Sequence, residues 1–179
     1  MKKHSIVFLL FFIAHASLAQ TFFEYDPAGN RIRRFSIPVS DLVAQVQIGP
    51  STTYGVTPVI AKLRVTEVNG VATSGPIVVR LTRSSIVTFS FDPTITSIGG
   101  TTVLNGNWNF DSTNPSYYTL TSSAVIPGAN SSIIGLSGTV TPNNFQGLLT
   151  TTMAIIGGSG GELKATNNTG AAKLEYFPQ

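Results

Sequence analysis

Reaction chemistry near neutral pH draws on a histidine base, a thiolate or a pair of facing carboxylates, and this 179-residue chain is poor in all three. It has no cysteine, and its two histidines, His4 and His15, both lie in the first fifteen residues. Serine or cysteine nucleophiles paired with histidine, structural zinc sites and histidine-bound redox metals therefore lack their residues in the rest of the chain. Eight carboxylates remain: Glu24, Asp26, Asp41, Glu67, Asp92, Asp111, Glu162 and Glu175. A glycosidase needs two of these across a cleft, yet they are scattered along the sequence and mostly adjoin turn residues. Asp92 before Pro93, and Asp111 ahead of Ser112 and Asn114, have the form of turn residues. Calcium would accept oxygen ligands from Asp, Asn and carbonyls, but no run of spaced acids marks a loop for it. The expectation is a protein that is not an enzyme and uses no cofactor.

Two further features suggest ligand binding. Gly157, Gly158, Gly160 and Gly161 could be taken for a phosphate cradle, but such loops lead into a helix. Here the flanks read as strand, so a flexible hairpin connection is expected. Sugars stack on exposed aromatic rings, and the candidate rings are Tyr117, Tyr54 and Trp108. Trp108 stands beside Phe110, where a sandwich usually has core. Tyr117 alternates with Tyr118, so the two should face opposite sides of a strand, and Tyr54 falls in a Ser/Thr-rich stretch read as a loop.

The first residues read as an export signal: Lys2 and Lys3, an apolar run from Ile6 to Ala14, then Ser17, Leu18, Ala19. Cleavage is expected after Ala19, placing the mature chain in the periplasm, at the cell surface or outside the cell. The apolar run is shorter than the roughly 20 residues of a membrane span, and no later segment approaches that length. Losing Lys2 and Lys3 leaves nine basic against eight acidic residues, so the net charge of +3 says little about partners. Arg31, Arg33 and Arg34 cluster, but they fall short of a nucleic-acid patch. No nucleic-acid partner is expected.

These residues need elements to hold them. From Ser40 the apolar pattern has period two. Leu42, Ala44, Val46 and Ile48 are followed by Ala61, Leu63 and Val65; then come Ile77, Val79 and Leu81, and Val87, Phe89 and Phe91. Asn69-Gly70 between the second and third groups suggests a tight hairpin turn. Trp108 to Phe110, Tyr118 to Leu120, Ile134 to Val140 and Leu149 to Ile155 continue the series, with closing strands expected around Leu163 to Thr166 and Ala172 to Tyr176. Eight to ten short strands with Gly, Pro and Asn turns predict an all-β, immunoglobulin-like Greek-key sandwich, a barrel being the alternative. The expected organisation is a signal peptide over 1–19, a linker or hairpin over 20–39 and a sandwich domain over 40–179.

Trp108-Asn109-Phe110, Tyr118-Thr119-Leu120-Thr121, Ile126-Pro127-Gly128, Ser132-Ile133-Ile134-Gly135 and Gly160-Gly161-Glu162 with Asn167-Asn168 resemble, in order and spacing, the immunoglobulin-like conserved-repeat domains of bacterial surface and secreted proteins. That resemblance implies a sandwich used as a spacer or adhesive module. Tyr25-Asp26-Pro27-Ala28-Gly29-Asn30-Arg31 resembles one tyrosine-aspartate repeat of the RHS type, and its turn residues suit a hairpin tip. The function expected is a non-catalytic module for adhesion, spacing or envelope-complex assembly, whose partner is a protein or a cell-surface glycan. The alternative is a carbohydrate-binding protein using exposed tyrosines. Oligomeric state is left open.

Overall fold

A computed structural model describes residues 21–179, so the signal-peptide reading and both histidines lie outside the described residues. The chain divides into two compact units, one ending at Ile37 and the other running from Pro38 to Gln179.

In the first unit, β1 (Thr21–Tyr25) pairs antiparallel with β2 (Arg31–Ser36). The turn between them is chemically specified. Asp26 Oδ1 accepts from the backbone N–H groups of Ala28 and Asn30, at 3.0 and 2.8 Å. Asn30 Nδ2 donates to the other carboxylate oxygen at 3.0 Å, and Gly29 takes the positive φ of 84° that a side chain would resist. The Asn30 side chain and the turn amides hold the Asp26 carboxyl below its ordinary pKa. The 25–31 motif is thus a hairpin tip.

The second unit contains β3 (Leu42–Gly49), β4 (Thr52–Tyr54), β5 (Thr57–Glu67), β6 (Ile77–Thr82), β7 (Val87–Ser90), β8 (Ser97–Ile98), β9 (Thr101–Thr102), β10 (Asn109–Asp111), β11 (Tyr117–Ser122), β12 (Ser131–Val140), β13 (Gly147–Ile155) and β14 (Thr169–Phe177). One sheet has the order β3-β5-β12-β7 and the other β10-β11-β6-β13-β14-β4, with β8 and β9 forming a small separate hairpin. All neighbours in the two main sheets are antiparallel except β14 and β4.

This is the immunoglobulin arrangement. β3, β5, β12 and β7 hold the A, B, E and D places of one sheet, and β6, β13 and β14 the C, F and G places of the other. The barrel alternative is excluded by the two separate sheets. One departure stands out: the extra hairpin β10–β11 on the C edge is inserted after the D strand, so the chain crosses between layers twice more before β12.

Two expected elements are corrected. Asn69-Gly70 does not turn a hairpin, because β5 and β6 lie in different sheets and the segment carries the chain across the sandwich. Residues 163–166 form no strand; this stretch belongs to the loop before β14. Its four residues are all exposed, and it is the flanking Glu162 and Asn168 that are buried.

Inward residues of both sheets meet in one interior. Leu63, Val65, Ile134 and Leu136 on one side and Val79, Leu81, Leu120 and Met153 on the other are all 0% exposed. The alternation follows from the pleat, which sends successive side chains to opposite faces. Polar groups join the layers as well. Tyr118, on the six-stranded sheet, accepts through its hydroxyl oxygen a hydrogen bond from the Phe89 N–H of β7 at 3.1 Å. Tyr118→Phe is expected to cost about 1–2 kcal/mol, since it strands a buried donor while leaving the ring in place. Chemical denaturation reads this directly, and an unchanged midpoint would show that the bond contributes nothing.

Candidate functional site

A recess open to solvent crosses the outer face of the four-stranded sheet. In the β3–β5 register Gln45 stands opposite Arg64 and Gln47 opposite Lys62. Their strand neighbours Ala44, Leu63 and Val65 point into the core, so these four polar side chains must point out. Strand geometry spaces them roughly 7 Å apart along each strand and about 5 Å across. Ile133 of β12 continues the Gln45–Arg64 row. The groove has a volume of about 410 Å³ and runs from Thr101 on the small hairpin to Gly170 and Ala171 at the start of β14. Glycine is required at 170: a Cβ there would lie 2.5 Å from the Ala44 carbonyl oxygen, forcing β14 away from β3.

The groove is electrostatically one-sided. Lys62 Nζ donates to Thr101 Oγ1 at 3.1 Å and Arg64 Nη1 to Ser131 Oγ at 3.0 Å, so both cations are oriented by neutral hydroxyls. No carboxylate lines it. Two cations and two amides in fixed register can hold an anionic, hydrogen-bonding ligand.

Acids that are scattered in sequence are gathered by the fold at the start of β3. Glu67 is 0% exposed and accepts from the N–H groups of Asp41 (3.2 Å), Asn69 (2.9 Å), Gly70 (2.9 Å) and Ala129 (2.8 Å). Burial pushes its carboxyl pKa up, but these amides together outweigh that and hold it below the ordinary value. Glu162, 2% exposed, accepts from Leu42 N–H at 3.2 Å and from Asn168 Nδ2. Asp41 pairs with Lys164 at 3.2 Å and with Asn167 Nδ2 at 2.8 Å. Glu67 is bound by backbone N–H groups and Glu162 by the Leu42 N–H and the Asn168 side chain, and each acts as a clamp on a loop. Among the described residues no group of three or more His, Cys, Asp or Glu side chains is placed to hold a metal ion.

Glu162 departs in the opposite direction from Glu67. Burial raises its pKa, only partly offset by the Asn168 and Leu42 bonds, and the Asp41 charge adds to the rise. The folded protein therefore binds this proton more tightly than the unfolded chain, and the contribution to stability declines as pH rises through and above the ordinary carboxylate range. Glu162→Gln is expected to remove that decline. Denaturation curves across this pH range check it, and an unaltered slope in the variant would refute it.

The three candidate rings form no common site. Trp108 is 3% exposed and its Nε1 donates to Ser132 Oγ at 2.9 Å, so it is core and offers no face to a sugar. Tyr117 is half-buried, with the Arg80 guanidinium 4.5 Å from its ring centroid. Tyr54 is 63% exposed and stacks on Phe177 at 5.2 Å; it lies on strand β4 and not in a loop. β6, β13 and β14 separate the strands of the two tyrosines. The glycine cluster is likewise corrected: it does join two antiparallel neighbours, but Ser159 and Gly160 are buried and Ser40 Oγ donates to the Gly160 carbonyl at 2.7 Å. It is a packed loop and not a flexible one.

Gln45, Gln47, Lys62 and Arg64 were not singled out from sequence. The signal was present in the outward positions of two alternating strands, but only the pairing of β3 with β5 makes them one surface.

No protein-family model matches the chain, including any for the conserved-repeat or tyrosine-aspartate resemblances, and no curated protein matches it. Solved structures do resemble it. The CARDB domain of a Pyrococcus furiosus protein, solved in complex with di-metal ions, is 14% identical with a TM-score of 0.49, covering 86% of this chain and 99% of that one. A type II cohesin domain from the cellulosome of Acetivibrio cellulolyticus is 10% identical with a TM-score of 0.42, covering 79% and 92%. The major pilin subunit of Bacillus cereus is 8% identical with a TM-score of 0.38, covering 89% and 48%. The chain is similar to these in all-β architecture.

Proposed function

We propose that this chain is an exported β-sandwich module that acts by contact and not by catalysis, in adhesion, spacing or assembly of an envelope complex. Its contact surface is the groove over β3 and β5. The observation that carries this reading is the groove itself: about 410 Å³, open to solvent, with Lys62 and Arg64 held by hydroxyls and no acid in the lining. Its polar groups suit binding, and the buried carboxylates Glu67 and Glu162 are committed to hydrogen bonds within the fold.

The test is retention. Full-length protein expressed in its own cells is expected to fractionate with the cell envelope, and a Lys62→Glu/Arg64→Glu variant to be released from it with an unchanged melting temperature. Equal retention of both forms, or turnover of a substrate by the purified chain, would overturn the reading. A second reading, carbohydrate binding, is favoured by the exposed Tyr54–Phe177 stack, since an open ring face is what a sugar requires. Glycan-array signals that vanish with Tyr54→Ala but survive Lys62→Glu/Arg64→Glu would select it.

A further inference from the structure

The outward positions of β5 change character along the strand. Val59, Ala61, Leu63 and Val65 are buried in the core, so Pro58, Ile60, Lys62 and Arg64 face out. Over roughly 20 Å one face therefore passes from two cations to two apolar residues. The cationic half is the groove already described. Beside the apolar half lies a second recess of about 490 Å³, lined by Pro50, Pro58, Ile60 and Ser137 with Gly49 and Gly138. The register makes the two recesses neighbours: Gln47 stands opposite Lys62, and the next outward pair is Gly49 opposite Ile60. A Cβ at Gly49 would have no atom within 4 Å, so the step between them is open on the β3 side.

On the β12 side the hairpin β8–β9 flanks both recesses. It covers Gly135, where a Cβ would lie 2.7 Å from Ile98 Cγ2. Gly99 packs so close to Ile60 that a Cβ would collide with its Cδ1, and Thr101 holds Lys62.

A ligand spanning both recesses must carry negative charge at one end and no unmatched polar groups at the other. The apolar recess offers one side-chain hydroxyl, Ser137, and no charged side chain. A polypeptide laid over it would leave its own N–H and C=O groups without partners, because β5 is paired on both sides, with β3 and with β12. A sugar carries hydroxyls on every side, and no aromatic ring lines either recess for it to stack on. An acyl chain has no polar group to satisfy and gains by leaving water.

We infer that this face binds a single amphiphile of the acyl type, its anionic head on Lys62 and Arg64 and its chain laid along the Gly49–Ile60 row into the apolar recess. The arginine fork and the lysine attract the head, and the chain adds affinity with the area it removes from water. Each recess has a volume within the roughly 300–1,000 Å³ of small-molecule sites. This names the ligand class for the surface described under Proposed function, and it rests on that reading.

The experiment uses the full chain, with titration calorimetry and amide chemical shifts as readouts and every amphiphile kept below its micelle threshold. Dodecyl phosphate is the probe. Butyl phosphate keeps the head and shortens the chain, dodecyl maltoside keeps the chain and removes the charge, and dodecyltrimethylammonium reverses the charge. Dodecyl phosphate is expected to bind as one molecule per chain and to shift the Ile60 and Lys62 amides together. The other three should bind at least about tenfold more weakly. Ile60→Thr should weaken dodecyl phosphate about fivefold and leave butyl phosphate unchanged. Lys62→Gln/Arg64→Gln should bring dodecyl phosphate down to the level of dodecyl maltoside.

Equal binding of dodecyl and butyl phosphate, equal binding of dodecyl phosphate and dodecyl maltoside, or binding to anionic phospholipid vesicles without binding of monomeric dodecyl phosphate would overturn the inference. These ligand comparisons need no protein variant, so they stand whatever the substitutions do to folding. Failure of every amphiphile while Lys62→Glu/Arg64→Glu is still released from the envelope would sink the acyl ligand and keep the groove as a contact surface. Failure of every amphiphile together with unchanged retention of that variant would remove the groove itself.

Discussion

Glu67→Ala is expected to lower the stability of the sandwich unit by about 3–4 kcal/mol, among the largest losses available to one surface-loop anchor. The side chain is 0% exposed and accepts from four backbone N–H groups drawn from three separate segments: the approach to β3, the exit from β5 and the turn before β12. Each buried donor left without a partner costs about 1–3 kcal/mol, discounted where water can replace the carboxylate at Asn69 and Gly70. For a unit of this size that corresponds to a melting-temperature drop of roughly 10 °C. Glu67→Gln keeps one acceptor oxygen but turns an NH₂ toward N–H groups, and about half the loss is expected.

The carboxylate also gives this anchor a pH signature. Its folded pKa lies below the ordinary value, so the unfolded chain binds its proton more readily. The stabilising contribution is fully present above the ordinary carboxylate range and is lost as pH falls through that range toward the lower folded value. Wild-type protein should therefore lose stability in acid more steeply than Glu67→Gln, a trend opposite in sign to that of Glu162. Parallel acid profiles for wild type and variant would show that Glu67 does not clamp these loops.

Trp108→Ala is expected to cost about 3–5 kcal/mol, the range for removing a fully packed aromatic. The indole fills space between the layers next to β12, and its N–H is matched to Ser132. Trp108→Phe should cost less, roughly 1–2 kcal/mol, because it mainly leaves the Ser132 hydroxyl without its donor. As the one tryptophan of the chain, Trp108 reports on itself. Its emission should be blue-shifted in the native state, move to the red on unfolding, and not respond to added sugars. A red-shifted, sugar-sensitive emission would restore Trp108 as a ligand-binding ring.

Much of the strand pattern is legible along the chain because a pleated strand writes its burial in its own residues. Leu42, Ala44 and Ile48, or Ile77, Val79 and Leu81, alternate in sequence because they alternate in space. What fails is whatever depends on which strand sits beside which. Asn69-Gly70 has the residues of a hairpin turn, yet β5 pairs with β12 and β3 instead of β6. Asn105, directly before Gly106, is 0% exposed. Its side-chain amide exchanges hydrogen bonds of 2.9 and 2.8 Å with the backbone of Gly135, thirty residues away. β4 is too short and too polar to announce itself, and it exists because the end of β14 offers it a parallel edge.

By itself the sequence determined the all-β class and which face of most strands is buried, and it ruled histidine and thiol chemistry out of residues 21–179. Those properties are local: they follow from residue types and period two. Only the tertiary structure decided that Gln45, Gln47, Lys62 and Arg64 form one groove, that Asp41, Glu67 and Glu162 gather at the start of β3, and that Tyr117, Tyr54 and Trp108 stay apart. The physical reason is register. Pairing two strands fixes which side chains are neighbours across the sheet, and that choice is set by the summed burial of the two layers, which no single segment contains.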